Sequence, residues 1–237
     1  MNDFWNKQLI PGYYDIVLED GLLKKRGLQS NWHHSTFLNV SKSMLNSKRH
    51  LDFACGPGTF IGKYLDLESL GVDISEKQIE YALTKYKNKG QFLTTEDFDF
   101  QKYEKNFDAI SIIGLLEYLN DEEILRLMEQ MFFVLSDNGK LIMTTPNYKS
   151  FMTILDRIVN AFSKVNYKAQ NINKHDKDKI LKLLKNTSFN DIEVKKILNV
   201  GIFFGFININ LSQIIQKFIY RLTNGKYGYL LMIVVKK

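Results

Sequence analysis

Two acidic residues and two glycines stand at a spacing that could bind a nucleoside. Asp52 ends a short apolar segment, Gly56 and Gly58 follow it in a turn, and Asp73 ends the next apolar segment. Glycine lets the backbone approach a ligand closely because it has no Cβ, and the amides that open the following helix can face polar ligand groups. A carboxylate at the end of a second strand is placed to accept hydrogen bonds from ribose hydroxyls. These residues therefore predict a nucleoside-binding half.

The same residues narrow the kind of nucleoside. A dinucleotide fingerprint, G-x-G-x-x-G, needs a third glycine at the position where Ile61 stands, and no Gly-Lys-Ser or Gly-Lys-Thr of a phosphate-binding loop occurs. Asp52 precedes the turn, where its carboxylate would repel a pyrophosphate and suits a cationic amino-acid group. The turn therefore disfavours a dinucleotide-dependent oxidoreductase and favours a nucleoside that carries positive charge.

Strands and helices alternate along the chain around this turn. Alternation with short loops is typical of parallel βαβ units and of a doubly wound α/β sheet. Ser75 and Gln78 match a capping box at the start of one helix, and 137–139 is a predicted turn. The predicted strands are 49–54, 70–73, 91–94, 107–113, 140–145, 191–198 and 229–235, and the predicted helices are 59–67, one from Ser75 through Tyr86, one from Asn120 to about Leu135, and one from Asp176 through Leu184.

Five segments resemble, in the same order, the motifs of class I S-adenosylmethionine (SAM)-dependent methyltransferases. Residues 51–60 are similar to motif I of that family, and residues 71–75 to the strand that binds the ribose. Ala54 departs from the usual pattern, which has its first glycine there. The other three segments are 96–98, similar to the acidic segment beside the adenine, 107–119, similar to the motif IV strand and its loop, and 138–147, similar to the fifth strand.

The resemblance implies a fold and a domain organisation. The expected fold is an α/β, Rossmann-like, doubly wound sheet of seven strands, mostly parallel, with an antiparallel last strand. We expect one methyltransferase domain over 1–237. Its parts would be an N-terminal helical cap at 1–47, a cofactor-binding half at 48–148, and a C-terminal half at 149–237 with an apolar insertion at 199–226.

SAM is the cofactor that the resemblance implies, with S-adenosylhomocysteine (SAH) as its product. Asp52 would hold the ammonium group, Asp73 the ribose hydroxyls, and Ile74 would pack on the adenine. Ile113 and Gly114 would pass beneath the sulfonium. The remaining predicted cofactor-binding residues are Ala54, Cys55, Gly56, Gly58 and Phe60 around the methionine and ribose portion, and Glu96, Asp97 and Phe98 around the adenine.

The implied reaction is an in-line displacement, in which proximity and alignment supply most of the catalysis. A general base is needed only when the nucleophile carries a proton of high pKa, such as a sugar hydroxyl. His33, His34 and Glu117 are the candidate bases, and a helix-surface histidine pair or a surface carboxylate is the alternative for each. Tyr13 and Tyr14 are predicted to pack under the N-terminal helix, and His175 to face solvent. No metal site is expected, because adjacent histidines on a helix point in different directions.

Residues 200–222 form an amphipathic segment with apolar side chains at helical spacing. Its apolar length is too short to span a bilayer. Two roles stay open for it: a helix that packs on the sheet or forms a homodimer surface, and an interfacial patch that contacts a membrane or walls a site for a lipid-linked acceptor.

Composition restricts the remaining possibilities. The 237 residues carry a net charge of +6 with scattered lysines, which disfavours nucleic acid as the partner. No Asn/Asp-Pro-Pro-Tyr/Phe signature follows the fourth strand, where residues 114–117 read Gly-Leu-Leu-Glu. Cys55 is the single cysteine, which excludes an internal disulfide. The first residues lack the pattern of a signal peptide, so a cytoplasmic location is expected.

The sequence therefore predicts a SAM-dependent methyltransferase that acts on a small, lipid-linked or glycan-linked acceptor at an oxygen atom. Three alternatives stay open. They are a scaffold that binds SAM without catalysis, a dinucleotide-dependent oxidoreductase, which the missing third glycine disfavours, and a nucleic-acid methyltransferase.

Overall fold

The computed structural model describes residues 9–150 and 172–237. The start of the predicted cap, before Leu9, and residues 151–171 of the predicted C-terminal half lie outside the described residues. The helices are α1 (Tyr13–Leu23), α2 (Leu28–Ser43), α3 (Thr59–Tyr64), α4 (Glu76–Tyr86), α5 (Asp121–Val134), α6 (Lys177–Leu184) and α7 (Ile209–Leu222), and the strands are β1 (Arg49–Phe53), β2 (Glu68–Asp73), β3 (Gln91–Thr94), β4 (Phe107–Ile113), β5 (Leu135–Pro146), β6 (Asp191–Ile197) and β7 (Leu230–Lys236).

The strands form one sheet in the order β3-β2-β1-β4-β5-β7-β6. Strand β7 runs antiparallel to both of its neighbours, and every other neighbouring pair is parallel. The chain order reverses between β1 and β4, and ligands of such sheets bind at the carboxyl ends of the strands beside this point. The predicted fold class is confirmed, including the antiparallel last strand.

Helices cover both faces of the sheet, because its central strands are apolar on both sides. Ile110 and Ile112 of β4 are fully buried, as expected for a central strand. One hydrophobic cluster joins the sheet to α1, α2, α3 and α4, through residues such as Val40 and Phe60. The other joins it to α5 and α6, through residues such as Met128 and Ile180.

The predicted capping box before α4 is wrong. Ser75 occupies the N-cap position but makes no side-chain capping hydrogen bond. Gln78 turns away to the N-terminal segment, where its Oε1 accepts from the Gly12 amide (3.0 Å) and its Nε2 donates to the Ile10 carbonyl (3.2 Å). A long-range contact has therefore recruited the side chain that the local pattern assigned to the cap. A complete capping box is present at α5, between Asn120 and Glu123.

Several predicted boundaries also shift. The helix predicted over 59–67 ends at Tyr64, where Leu65 becomes extended. The turn predicted at 137–139 lies inside β5. Leu135 at the start of that strand pairs with Phe107 of β4, and the register of the two strands shifts before Lys140 pairs with Ala109. Asn138 takes up the irregularity with a positive φ of 63°. The predicted insertion is a short 3₁₀ helix, Val200–Phe206, followed by α7.

Candidate active site

A cavity of about 650 Å³ opens at the carboxyl ends of β1, β2 and β4. Helix α2 of the predicted cap forms one wall, and the loop after β4 forms the opposite wall. Most predicted site residues line it: His33, Asp52, Ala54, Cys55, Gly56, Phe60, Asp73, Ile74, Ile113, Gly114 and Glu117. Five predicted site residues are not in the lining, namely His34, Gly58, Glu96, Asp97 and Phe98.

The turn after β1 brings backbone to the floor of the cavity. Ala54 and Gly56 both adopt positive φ, at 66° and 53°, which alanine tolerates less well than glycine. The amides of Ala54 and Cys55 donate to the Val72 carbonyl, and this fastens the turn to β2. A Cβ built on Gly56 would meet no atom within 4 Å. The space beside Gly56 is therefore open to a ligand.

Gly58 serves packing instead. A Cβ built there would lie 2.6 Å from the Phe92 ring and 3.0 Å from the Ala82 methyl group. Gly58 therefore lets the start of α3 approach β3 and α4. The expectation that both glycines face a ligand holds in the geometry for Gly56 alone.

Asp73, the last residue of β2, forms hydrogen bonds that fix the turn after β1. Its Oδ2 accepts from the Gly56 amide (2.8 Å) and its Oδ1 from the Ser75 amide (2.9 Å). The Ile74 backbone also hydrogen-bonds to this carboxylate, and since a carboxylate has about four lone-pair sites, acceptor capacity remains for a hydrogen bond from the cavity. Burial raises the pKa of Asp73 above its usual value, against these backbone hydrogen bonds, which lower it.

Asp52 lies beside it, on β1, and is almost completely buried. The pKa of Asp52 is raised to about 7 by three effects together. Burial is the largest and raises it, the hydrogen bond from Ser111 lowers it, and the charge of Asp73 raises it. Ser111 in turn contacts His50, whose Nε2 lies 2.9 Å from the hydroxyl. Sequence reasoning missed this network, although Ser111 sits beside Asp52 as soon as β4 is paired with β1.

No ion pair neutralises either carboxylate within residues 9–150 and 172–237. Arg126 also lines the cavity but makes no ion pair with either carboxylate, so the two buried carboxylates favour a ligand that brings positive charge. Two more polar atoms of the lining, Thr59 Oγ1 and Ser75 Oγ, are buried without a hydrogen-bond partner in the part of the chain that the structure describes. A cationic ligand with several polar groups therefore fits this end of the cavity.

The two adjacent histidines of α2 point to different surroundings. His33 lines the cavity between Tyr14 (ring centroids 5.2 Å apart) and Phe37 (6.1 Å). Burial lowers the pKa of His33 to about 4, so its imidazole is neutral at physiological pH. His34 Nδ1 instead lies 2.7 Å from the Tyr64 hydroxyl on α3. Helical geometry separates the pair, and only His33 is in the cavity lining.

Glu117 follows β4 and lines the cavity opposite α2. It is largely buried, and its Oε2 accepts a long hydrogen bond (3.5 Å) from Thr145 Oγ1. The same hydroxyl lies 3.0 Å from His175 Nδ1. His175 is completely buried, so the expectation that it faces solvent is wrong. The residues beside His175 in the sequence are polar, so they did not indicate that His175 is buried beside Thr145 near the end of β5.

The predicted adenine segment lies at the edge of the site. Asp97 is exposed, and its Oδ2 accepts from Thr94 Oγ1 (2.6 Å). The Phe98 ring is buried against Tyr103, and its amide donates to the Thr94 carbonyl (3.1 Å), so that amide is already engaged. Glu96 is exposed. The neighbouring Thr95 lines the cavity instead and was not predicted.

The family model of a methyltransferase domain matches residues 31–194. This chain belongs to the class I SAM-dependent methyltransferases. The matched range begins in α2 and ends in β6, so it includes β1, β2 and β4, at whose carboxyl ends the cavity opens. SAM is accordingly the cofactor of this methyltransferase, as predicted.

Solved structures share the fold of this methyltransferase. A magnesium protoporphyrin IX methyltransferase from Synechocystis PCC 6803 with bound SAH is 19% identical, with 100% of this chain and 97% of that chain covered and a TM-score of 0.62. A possible histamine N-methyltransferase from Thermotoga maritima is 18% identical, with coverages of 86% and 90% and a TM-score of 0.61. A SAM-dependent methyltransferase from Archaeoglobus fulgidus is 18% identical, with coverages of 85% and 94% and a TM-score of 0.54.

A search of curated proteins finds no match. Within residues 9–150 and 172–237, no helix has the length and apolar character needed to cross a membrane. In the same residues, no group of three or more His, Cys, Asp or Glu side chains is arranged to hold a metal ion.

Proposed function

We propose that this methyltransferase transfers the methyl group of SAM to an oxygen atom of a small, lipid-linked or glycan-linked acceptor. The observation that carries the proposal is that one cavity contains two acids that form no ion pair within the described residues, Asp52 and Asp73, and two groups able to accept a proton, His33 and Glu117. The first pair suits the cofactor. The second pair suits a nucleophile that must lose a proton.

The cofactor is assigned to the β1–β2 end of the cavity. Asp73 keeps acceptor capacity for the ribose hydroxyls beside its backbone hydrogen bonds, and Asp52 is the acceptor for the ammonium group. Gly56 gives the ligand room along the backbone. Ile74 contributes an apolar surface for the adenine. The other proposed contacts are Ala54, Cys55, Phe60, Ile113 and Gly114 in the lining, with Thr95 added by its position. The predicted residues Gly58, Glu96, Asp97 and Phe98 lie outside the lining and are not proposed as contacts.

The chain's contribution to the reaction is alignment and proton transfer. Bound SAM would supply a methyl group on a positively charged sulfur. The acceptor oxygen bonds to the methyl carbon in line with the carbon–sulfur bond, which breaks and leaves SAH. The walls formed by α2 and the loop after β4 hold the acceptor between them, and this fixes the line of attack. The buried surroundings exclude water from the acceptor oxygen.

His33 is the first candidate base, and Glu117 the second. The neutral imidazole of His33 can accept a hydroxyl proton. The neighbouring rings of Tyr14 and Phe37 contact this imidazole and keep it oriented. Glu117 stands across the cavity with Thr145 behind it. A residue of this kind contributes about 10²–10⁴-fold to rate when it is placed at the reacting proton.

Aromatic residues form much of the acceptor end. Tyr14, Trp32, Phe37 and Tyr118 line the cavity, and such rings offer broad apolar surface with polar tips. This supports an acceptor that presents a ring or an apolar portion beside its hydroxyl group, as lipid-linked and glycan-linked molecules do.

Transfer of a carbon-13-labelled methyl group from SAM tests the proposal. The purified protein is incubated with labelled SAM and with separate small-molecule, lipid, glycan and nucleic-acid fractions from the organism that carries it. We expect label in a non-nucleic-acid fraction, with a carbon-13 chemical shift of an O-methyl group. An N-methyl or S-methyl shift would overturn the assignment to oxygen.

The same experiment separates the alternatives. Label in the RNA or DNA fraction would identify a nucleic-acid methyltransferase, whose binding would fall steeply with salt. SAM binding without transfer to any fraction would support the non-catalytic scaffold.

A further inference from the structure

Helix α7 attaches to the protein through its polar side. Ser212 and Gln216 are buried against α2. Asn31 Nδ2 donates to Ser212 Oγ (2.7 Å), and Gln216 Nε2 donates to Ser35 Oγ (3.3 Å). Gln213 Nε2 adds a 2.5 Å hydrogen bond to the same Ser35 hydroxyl. The helix is therefore fastened to α2 by side-chain hydrogen bonds, and its apolar side is left out of this contact.

The apolar side of α7 points away from the protein. Ile214 is 65% exposed, Phe218 66% and Leu222 73%, although side chains of these types are usually buried. The expectation that this side packs on the sheet is therefore wrong. We call the following seven residues the apolar face: Leu23, Phe206, Ile207, Leu211, Ile214, Phe218 and Leu222, all exposed.

Leu23 joins this face through backbone contacts at the start of α7. The Ile209 amide donates to the Lys25 carbonyl (2.8 Å), and the Gly27 amide donates to the Gly205 carbonyl (2.8 Å). These bonds hold the loop after α1 against the end of the 3₁₀ helix. Leu23 and Ile207 are thereby carried on adjacent segments that the protein keeps together.

Basic residues surround the apolar face. Lys25 and Arg26 are exposed in the loop after α1, and Lys217 and Arg221 are exposed on α7, whereas the neighbouring Lys24 pairs with Asp20 (2.7 Å). From Val194 to the end of the sequence there are seven basic residues and no acidic one. An apolar helix side with a basic border is the composition of helices that lie in the interface of an anionic membrane.

We propose that the apolar face docks on a bilayer surface that contains anionic lipid. The helix has 14 residues, enough to lie in the headgroup region and too few to cross the hydrocarbon core. A second copy of the chain is a poorer occupant. An interface between two copies on this face would bring two basic borders together, and like charges in apposition oppose association.

Docking would leave the cavity one helix away from the lipid. Asn31 and Ser35 of α2 hold α7, while Trp32, His33 and Thr36 of the same helix line the cavity. The docking proposal needs no particular acceptor, so it stands apart from the proposed oxygen methylation. Only the idea that a lipid-linked acceptor reaches the cavity from the membrane would join the two.

Flotation with lipid vesicles tests the proposal on the full chain. Vesicles of phosphatidylcholine with phosphatidylglycerol are compared with pure phosphatidylcholine vesicles. We expect binding to the anionic vesicles, and a loss of at least tenfold in the double variant Ile214→Ser/Phe218→Ser. The matched control is Leu45→Ser/Leu83→Ser, which removes two exposed leucines elsewhere and should bind as the parent does.

A charge variant keeps the test decisive should the first variant fold poorly. Lys217→Glu/Arg221→Glu should weaken vesicle binding at least tenfold, whereas Lys87→Glu/Lys89→Glu at the end of α4 should change it little. Binding of the parent should also fall with added salt. SAM affinity should stay constant in all four variants. Absence of vesicle binding by the parent overturns the proposal, and so does a dimer in sedimentation that Ile214→Ser/Phe218→Ser converts to monomer.

Discussion

Ser111 Oγ donates a 2.5 Å hydrogen bond to Asp52 Oδ1 across the neighbouring strands β4 and β1. Burial raises the pKa of Asp52 to about 7, and the Ser111 hydrogen bond opposes that rise. The hydroxyl thereby favours the ionised carboxylate at the place proposed for a cationic ligand group. A serine in the middle of an apolar strand gains a role that its own segment did not suggest.

Replacement of Ser111 by alanine should weaken SAM binding by about 10–100-fold. A hydrogen bond to a charged group contributes about 1.5–3 kcal/mol, and without it the pKa of Asp52 rises further above 7, so less carboxylate is ionised. Isothermal titration at pH 7 measures the change. Ser69→Ala is the control, since Ser69 contacts His50 (3.2 Å) but not Asp52. Unchanged affinity in Ser111→Ala would contradict the role given to this hydrogen bond.

SAM affinity should depend on pH through Asp52. With a pKa of about 7 in the free protein, Asp52 must release a proton to hold an ammonium group at lower pH. Affinity should therefore rise by up to about tenfold per pH unit from pH 5 and level off near pH 7. Titration in buffers of different ionisation enthalpy should detect the released proton. Asp52→Asn should remove the pH dependence, and a flat profile in the parent would count against the assignment.

The same carboxylate should destabilise the protein without cofactor at alkaline pH. Its pKa is raised on folding, so the folded state binds the proton more tightly and stability falls as pH rises from about 4 through about 7. Asp52→Asn should therefore raise the free energy of unfolding at pH 8 by about 2–4 kcal/mol, while it weakens SAM binding. Denaturant unfolding of the parent and of Asp52→Asn at pH 5 and pH 8 measures the free energy of unfolding. Equal effects at the two pH values would show that ionisation is not the cause.

Sequence reasoning located the cofactor end of the site because its signals are local. Asp52, Gly56 and Asp73 each stand at a strand end, and parallel strands bring their carboxyl ends to one edge of the sheet. The mostly parallel sheet of seven strands and its antiparallel last strand were implied by the family resemblance. The residues at the strand ends follow one another along the chain, so the sequence shows their pattern directly.

Other features depend on contacts between distant segments. Ser75 and Gln78 satisfy a capping pattern, yet Gln78 is used by Gly12 and Ile10, which the pattern does not include. Helix α7 has a clear apolar side, but periodicity alone does not say which side faces the protein. Its orientation is set by partners on α2, where Asn31 donates to Ser212 and Ser35 accepts from Gln216.

The two glycines of the turn should respond differently to alanine. Gly56→Ala places a methyl group in open cavity space at a φ of 53°, so we expect a modest loss of stability, about 1–2 kcal/mol, and a clear loss of SAM affinity. Gly58→Ala drives a methyl group against the Phe92 ring, so its larger effect should be on stability.

Thermal unfolding and SAM titration of both glycine variants make the comparison. Gly58→Ala should show the lower melting temperature, and Gly56→Ala the greater loss of affinity relative to its stability. The reverse order would mean that Gly56 serves packing and that the ligand lies elsewhere.

His33 and His34 should differ in their effect on turnover. His33 lines the cavity and stays neutral above a pKa of about 4, so His33→Ala should lower the rate of methyl transfer by about 10²-fold or more. His34 contacts Tyr64 outside the lining, and His34→Ala should change the rate less than about threefold, because it removes no group placed at the reacting proton.

The assay for the histidine pair uses the acceptor fraction found with labelled SAM, and titration confirms that both variants still bind the cofactor. If His33→Ala keeps its rate while Glu117→Gln loses it, the proton passes to the carboxylate across the cavity. If neither change slows transfer, the acceptor atom reacts without a base. A nucleophile with no high-pKa proton would then replace the hydroxyl group in the proposed reaction.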